Sequence, residues 1–292
     1  MGLIKFLRRR KTEKFRKKHK IGLCLSGGGT RGLTYIGVFR AFEQYGIKFD
    51  AVAGTSIGSL FATMYASGMT SSEMQQWAMK AKDSDFRKSK LGFLPSKMDN
   101  LAEMINKILP NTKLENLKIP CYVVAVDVRT GEEKHFSSGD IAPIITGSCA
   151  IPGVFNPVEF EGMHLVDGGI QNNIPSDIPR YFDCDYVVAV DVNSTRGGGT
   201  QSLKLMDVLK ATIGIMGKAN SLRGYLDADI MIKPSMAKYK STKLDEVEEM
   251  FMEGYNAGIE AVPEILKLIS KKPTRAINKK NKKIQIKKPV IF

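Results

Sequence analysis

The 292-residue chain is 43% hydrophobic and 25% charged, enough apolar material for a substantial core and a composition that excludes global disorder. Its 44 Lys+Arg exceed its 30 Asp+Glu by 14, but the excess sits at the ends: residues 1–20 and 271–292 each carry net +9, and the 250 residues between them net −4. A mildly acidic body between basic ends disfavours a fold built around a nucleic-acid-binding face, so no nucleic-acid partner is expected.

In chain order, the apolar run Ile21–Ser26 leads into three glycines and then a helical pattern from Arg31 to Tyr45, with Gly46 at its end. A second short run, Asp50–Ala53, enters Gly54-Thr55-Ser56-Ile57-Gly58 and another helix that closes at Gly68. Strand, glycine turn and helix thus occur twice within 50 residues, the pattern of βαβ units and of a mainly parallel sheet with helices on both faces. Thr70 with Glu73 marks a capping box for a helix to about Lys82. Residues 83–97 read as a loop, a candidate lid with Phe86, Leu91, Phe93 and Leu94 among basic residues. A helix is expected over Asp99–Leu109, a strand over Cys121–Val128, and a polar strand ending near Phe136 after the Thr130-Gly131 turn. Asp140–Ala150 reads as a helix, Val158–Val166 as a hairpin turning at Glu161-Gly162, and Tyr186–Val192 as a buried strand. A loop at Arg196–Gly199, a long helix, a strand at Asp229–Lys233 and helices to about Ser270 complete one catalytic domain over 21–270.

No apolar run reaches the roughly 18 residues of a membrane-spanning helix. Leu3–Leu7 is too short for a signal-peptide core. Cys24, Cys121, Cys149 and Cys184 lack CxxC spacing and read as reduced structural residues of a cytoplasmic protein, with no metal site.

Gly54–Gly58 fits G-x-S-x-G, in which a serine on a sharp strand-to-helix turn needs small neighbours. A tight turn with a helix-capping serine satisfies the same five residues, and placement after a β run favours a nucleophile at Ser56. Gly27-Gly28-Gly29-Thr30-Arg31-Gly32 brings backbone N–H groups together at a helix start, a nest for a phosphate or for the oxyanion of a tetrahedral intermediate. Gly27, Gly29 and Gly32 also satisfy G-x-G-x-x-G, so a nucleotide-binding oxidoreductase is an alternative; its acid would be Asp50, which precedes its strand.

A serine nucleophile needs a base. The only histidines are His19 in the basic tail, His135 in a polar hairpin arm read as solvated, and His164, so an ordinary histidine-based hydrolase is disfavoured. Asp167, in Val166-Asp167-Gly168-Gly169, is the better candidate. An aspartate with an ordinary pKa near about 3.9 can still accept a serine proton when an oxyanion hole carries the developing charge.

Gly-Gly-Gly-Thr-Arg-Gly, Gly-Thr-Ser-Ile-Gly and Asp-Gly-Gly, in this order, together with Ser148–Pro157 upstream of the aspartate, resemble the patatin-like phospholipase family over about residues 20–235. The resemblance implies a three-layer α/β/α fold, a Ser-Asp dyad without histidine, and hydrolysis of lipid acyl esters without a metal or cofactor. It implies Ser56 as nucleophile and Asp167 as general base. It also implies Gly54 and Gly58 as the nucleophile elbow, and Gly27, Gly28 and Gly29 as the oxyanion hole, with Arg31 supporting that loop or an anionic headgroup. Phe61, Met64, Phe93 and Phe155 are candidates for an acyl groove, against the plainer reading as core. The expected partner is a phospholipid or other acyl-ester lipid. The basic ends are expected either to bind an anionic membrane at its inner face or to be solvated. A membrane-associated protein with a vestigial hydrolase site is the other alternative.

Overall fold

The computed structural model describes residues 19–81, 98–194, 199–239 and 246–270. The expected loop at 83–97, residues 196–198 of the glycine loop, Phe93, and the tails at 1–18 and 271–292 lie outside them.

The first half forms β1 (Ile21–Leu25), α1 (Thr34–Tyr45), β2 (Ala51–Thr55), α2 (Ile57–Ala66), α3 (Ser71–Ala78), α4 (Asp99–Ile108), β3 (Cys121–Asp127) and β4 (Glu132–Phe136). The second half forms α5 (Ile141–Ser148), β5 (Val158–Phe160), β6 (Met163–Asp167), α6 (Ile178–Tyr181), β7 (Tyr186–Val190), α7 (Leu205–Asp227), β8 (Ile230–Ile232) and α8 (Val247–Ser270). Residues 31–33, expected to open the first helix, lie instead in a 3-10 turn over Gly29–Leu33, which Gly29 enters at φ 60°. Gly46 ends α1 in the left-handed conformation, and Thr70 and Glu73 form the expected capping box at α3, which stops at Ala78.

Alternation along the strands divides the core. Ile21, Leu23, Leu25, Val52, Val123, Val188 and Val190 enter the larger apolar cluster, while Cys24, Ala51, Ala53, Tyr122, Val124, Val187 and Ala189 enter a smaller one on the opposite face. Tyr35, Phe39 and Phe42 of α1, Leu60 and Phe61 of α2, Leu101 of α4 and Ile265 of α8 fill the larger cluster. Backbone contact between α1 and α8 is possible because Gly37 faces the Phe251 carbonyl and Gly254 the Thr34 carbonyl, with no Cβ between them. The smaller cluster is covered by α6 and α7 through Ile178 and Tyr225. The result is an α/β/α sandwich.

The sheet order is β5-β6-β3-β2-β1-β7-β8, with β4 also on β3. The five strands from β3 to β8 are parallel; β4 and β6 run antiparallel to β3. β4 pairs with β3 along Val123–Asp127, so β2, paired at Cys121–Val124, and β6, paired at Ala125–Asp127, must share the other edge of β3. They meet there carboxyl end to carboxyl end: Thr55 sits opposite Val124, and Asp167 opposite Ala125.

Candidate active site

Thr55 ends β2 and Ile57 begins α2, so Ser56 alone must turn the chain. It does so at φ 55° and ψ −131°, a strained conformation for a residue with a Cβ, costing about 1–3 kcal/mol. The turn closes because Gly54 and Gly58 carry no side chain: a Cβ on Gly54 would strike the Gly58 carbonyl, and one on Gly58 the Leu25 carbonyl. The strain is held by local bonds. The Ser56 N–H donates to Ser148 Oγ at 2.9 Å, and that hydroxyl donates to the Val124 carbonyl at 2.6 Å. Ser59 Oγ donates to the Ser56 carbonyl at 2.6 Å, and Thr55 Oγ1 to the Asn172 carbonyl at 2.8 Å.

Because the two strand ends meet on β3, Ser56 Oγ reaches Asp167 and donates to its Oδ2 at 2.7 Å across 111 residues of sequence. The other carboxylate oxygen accepts the Gly169 N–H at 2.8 Å, and the Asp167 N–H donates to the Ala150 carbonyl at 3.0 Å. Burial pushes the Asp167 carboxyl up to about 6, against the opposing pull of the Ser56 hydroxyl and the Gly169 amide. A buried carboxylate with this environment is a far better proton acceptor than an ordinary surface aspartate.

The glycine loop after β1 lies beside this pair, but its three glycines are not equivalent. The Gly27 N–H is used by the Asn173 carbonyl at 3.1 Å, and the Gly27 carbonyl accepts from Asn193 Nδ2. Gly27 is therefore a structural anchor and not a free donor, which corrects the expectation that all three amides face an oxyanion. The amides of Gly28 and Gly29 find no acceptor among the described residues. Of the two roles expected of Arg31, its contacts favour support of the loop: the guanidinium is buried, with Nε and Nη2 donating to the Tyr239 carbonyl at 2.9 and 2.7 Å, so it clamps the loop to the segment after β8 rather than facing an oxyanion or a headgroup.

Asp50 lies at the amino end of β2, where Oδ2 accepts the Ile21 N–H at 2.9 Å. It is at the wrong end of the sheet to serve a dinucleotide bound by the glycine loop. None of the hydrogen bonds on Ser56 and Asp167 described above involves a histidine. His19, assigned to the basic tail, is buried against Tyr186 and lies 3.7 Å from Asp185. His135 is also not free in water: Nε2 lies 2.6 Å from Glu133 Oε1. His164 stands on β6 three residues before Asp167, so the strand pleat sends its side chain to the opposite face. Phe61 and Met64 are fully buried core residues of α2, and Phe155 packs against the same cluster, so these three belong to the core. All four cysteines are buried as free thiols, with burial pushing Cys121 and Cys184 up to about 12.

In the sequence Ser148 stands only within the longer stretch Ser148–Pro157, and no motif marks Asn172, Asn173 or Asn193. Asn172 Nδ2 bonds both Glu133 Oε1 at 2.8 Å and Asp177 Oδ1 at 3.0 Å, and Arg223 pairs with Asp177 beside them. Burial opposes ionisation of Glu133, yet the bonds from His135 and Asn172 hold its carboxyl below the ordinary range. This network fixes the chain that follows Asp167 and, through the Asn172 carbonyl, the residue before Ser56. The Asn172-Asn173 doublet five residues past an Asp-Gly-Gly turn was its one visible signal.

The profile of the family described as Patatin-like phospholipase matches residues 23–179. Patatin-like phospholipase domain-containing protein 6 of Mus musculus is 30% identical over 188 residues, 60% of this chain and 14% of that protein. An uncharacterized NTE family protein of Mycobacterium tuberculosis is 30% identical over 185 residues, 61% of this chain and 51% of that protein. The match thus spans at most about half the length of these relatives. Among solved structures, VipD from Legionella pneumophila superposes with a TM-score of 0.50 at 16% identity, covering 86% of this chain and 67% of that one. Human GIVD cytosolic phospholipase A2 gives 0.51 at 11% identity, covering 91% and 63%. At such identities these two likenesses concern the fold alone.

Proposed function

The chain belongs to the patatin-like phospholipase family, and from that premise we propose that it is a serine lipid acyl hydrolase of the phospholipase A or lysophospholipase type. The observation that carries the proposal is the 2.7 Å bond from Ser56 Oγ to the buried Asp167 carboxylate. In the proposed mechanism, Ser56 Oγ attacks the acyl carbonyl as its proton passes to Asp167. The oxygen that gains charge is stabilised by the Gly28 and Gly29 amides. The tetrahedral intermediate collapses, the ester C–O bond breaks, and Asp167 returns the proton to the departing alcohol. Water then attacks the acyl-enzyme with Asp167 as base, and expulsion of Ser56 Oγ releases the fatty acid. No step requires a metal or cofactor. The basic ends fit this chemistry as attachments to an anionic membrane, at the inner face in a cytoplasmic protein.

The test is labelling with a fluorophosphonate ester together with turnover of a panel of phospholipids and lysophospholipids. Wild type should be labelled and should release fatty acid, and Ser56→Ala should do neither. Equal labelling of Ser56→Ala would remove the dyad, and labelling without turnover of any acyl ester would leave a vestigial site.

A further inference from the structure

One helix in this fold is inside out. Among the described residues, eight of the twelve exposed large hydrophobic side chains fall between Leu203 and Leu226, on or just before α7. Leu203 is 88% exposed, Leu205 72%, Ile215 54%, Leu222 66% and Leu226 87%. From Leu205 onward their spacing follows the helical repeat and places them along one side of a helix about 35 Å long. The opposite side is small and polar and is the side that meets the body. Gly217 lies over the Gly169 carbonyl, Asn220 Nδ2 donates to the Ile170 carbonyl, Asn173 Nδ2 donates to Ser221 Oγ, and Gly224 sits against Ile174. Elsewhere the exposed hydrophobics are scattered, as on any soluble surface.

Three observations select what covers this stripe. The first is position: α7 rests on residues 169–174, which directly follow Asp167, and Leu209 Cδ1 stands 3.8 Å from where a Cβ on Gly153 would be. Leu209 of the stripe thus reaches the segment whose Ala150 carbonyl accepts the Asp167 N–H. The second is charge: residues 204–227 hold four cations and two acids, within a body from 21 to 270 that is net −4. Lys204 and Lys218 are exposed beside the stripe. The third is attachment: α7 is not apolar enough to cross a membrane, and its polar side is bonded to the body, so it can only lie along a surface.

We propose that the α7 stripe is the surface by which this protein seats on an anionic lipid bilayer, with the dyad at the edge of the contact. The choice of a bilayer as occupant rests on the acyl-hydrolase reading above. The seat is separate in sequence from the basic ends and lies within the folded body.

The experiment is flotation of the full-length protein with vesicles of phosphatidylglycerol and phosphatidylethanolamine. Ser56→Ala is the parent, so that binding is read without hydrolysis. Leu205→Gln/Leu222→Gln/Leu226→Gln in that parent should reduce vesicle partitioning by about tenfold or more, since three leucine side chains no longer enter the lipid. Leu226→Gln alone, at a position too exposed to affect folding, should give a smaller loss in the same direction. Lys204→Glu/Lys218→Glu should weaken binding to these vesicles and spare binding to phosphatidylcholine vesicles. A triple variant that melts like the parent and floats like it would overturn the proposal. So would light scattering that shows a parental dimer dissociated by the triple variant while vesicle binding persists, because the stripe would then be a contact between copies. Failure of wild type to hydrolyse any acyl ester would count against the hydrolase reading, while flotation of the Ser56→Ala parent would still decide the seat.

Discussion

The two faces of the sheet are built on different principles. On one, Ile21, Leu23, Leu25, Val123, Val188 and Val190 meet the aromatic side chains of α1 and α2 in a large apolar cluster. On the other, Gly22, Cys24, Ala51, Ala53 and Ala189 leave so little side chain that Pro179 of α6 lies directly on Gly22. That thin face brings Glu133, Asn172, Asp177 and Arg223 close to the backbone around Ser56 and Asp167. Stability is concentrated in the first face, and precision of the site in the second and at the seam between β2 and β6. The same strands serve both because alternate residues answer to different neighbours.

The sharpest test of that division is Asp167→Asn, which keeps a partner for Ser56 but removes the proton acceptor. It should lower kcat/KM by a factor of about 10³ or more while thermal unfolding changes little. Retained activity would end the distinction between site and scaffold. Phe39→Ala, deep in the thick face and 1% exposed, should do the reverse. A loss of about 3–5 kcal/mol in urea unfolding is expected, with undiminished turnover per folded molecule.

Ser148→Ala lies on the border between the two behaviours. It strands the Ser56 N–H and the Val124 carbonyl, both buried, at about 1–3 kcal/mol. Steady-state kinetics on a water-soluble ester should show kcat reduced by about tenfold or more with KM little changed, and Ser148→Thr should recover part of it. The smallest effect is that of pH. Protonated Asp167 cannot accept the Ser56 proton, and its carboxyl titrates at about 6. The ionised fraction, and with it kcat/KM, should therefore fall about tenfold per pH unit below that value. In a pH–rate profile, a limb near 4 would mean that burial does not govern this carboxylate.

Features that impose backbone geometry were legible in the sequence. Gly54 and Gly58 are required by a turn that no Cβ can enter, and the repeated strand–glycine–helix pattern carried the parallel sheet. The Ser56–Asp167 pairing was legible only through company and resemblance, because its physical cause is a register: two strands ending on neighbouring residues of β3. Contacts made by single side chains across long separations were not legible. Arg31 looks like an anion binder in a glycine loop, yet it is committed to the Tyr239 carbonyl 208 residues away. His19 was hidden by the basic run around it, although it stands only two residues before the buried strand β1. The outward apolar side of α7 escaped as well, since a helical stripe of leucines reads as core until the body is seen to lie on the other side.

The meeting of β2 and β6 on one edge of β3 also makes the dyad a clock. Ser56 and Asp167 belong to segments 111 residues apart, and neither strand end touches the other until β3 has accepted both. Non-local pairings of this kind form late, because loop-closure entropy must be overcome before they contribute stability. During refolding from denaturant, capacity for covalent capture at Ser56 therefore registers completion of that edge, at a time when α1 and α8 have already regained their helical signal.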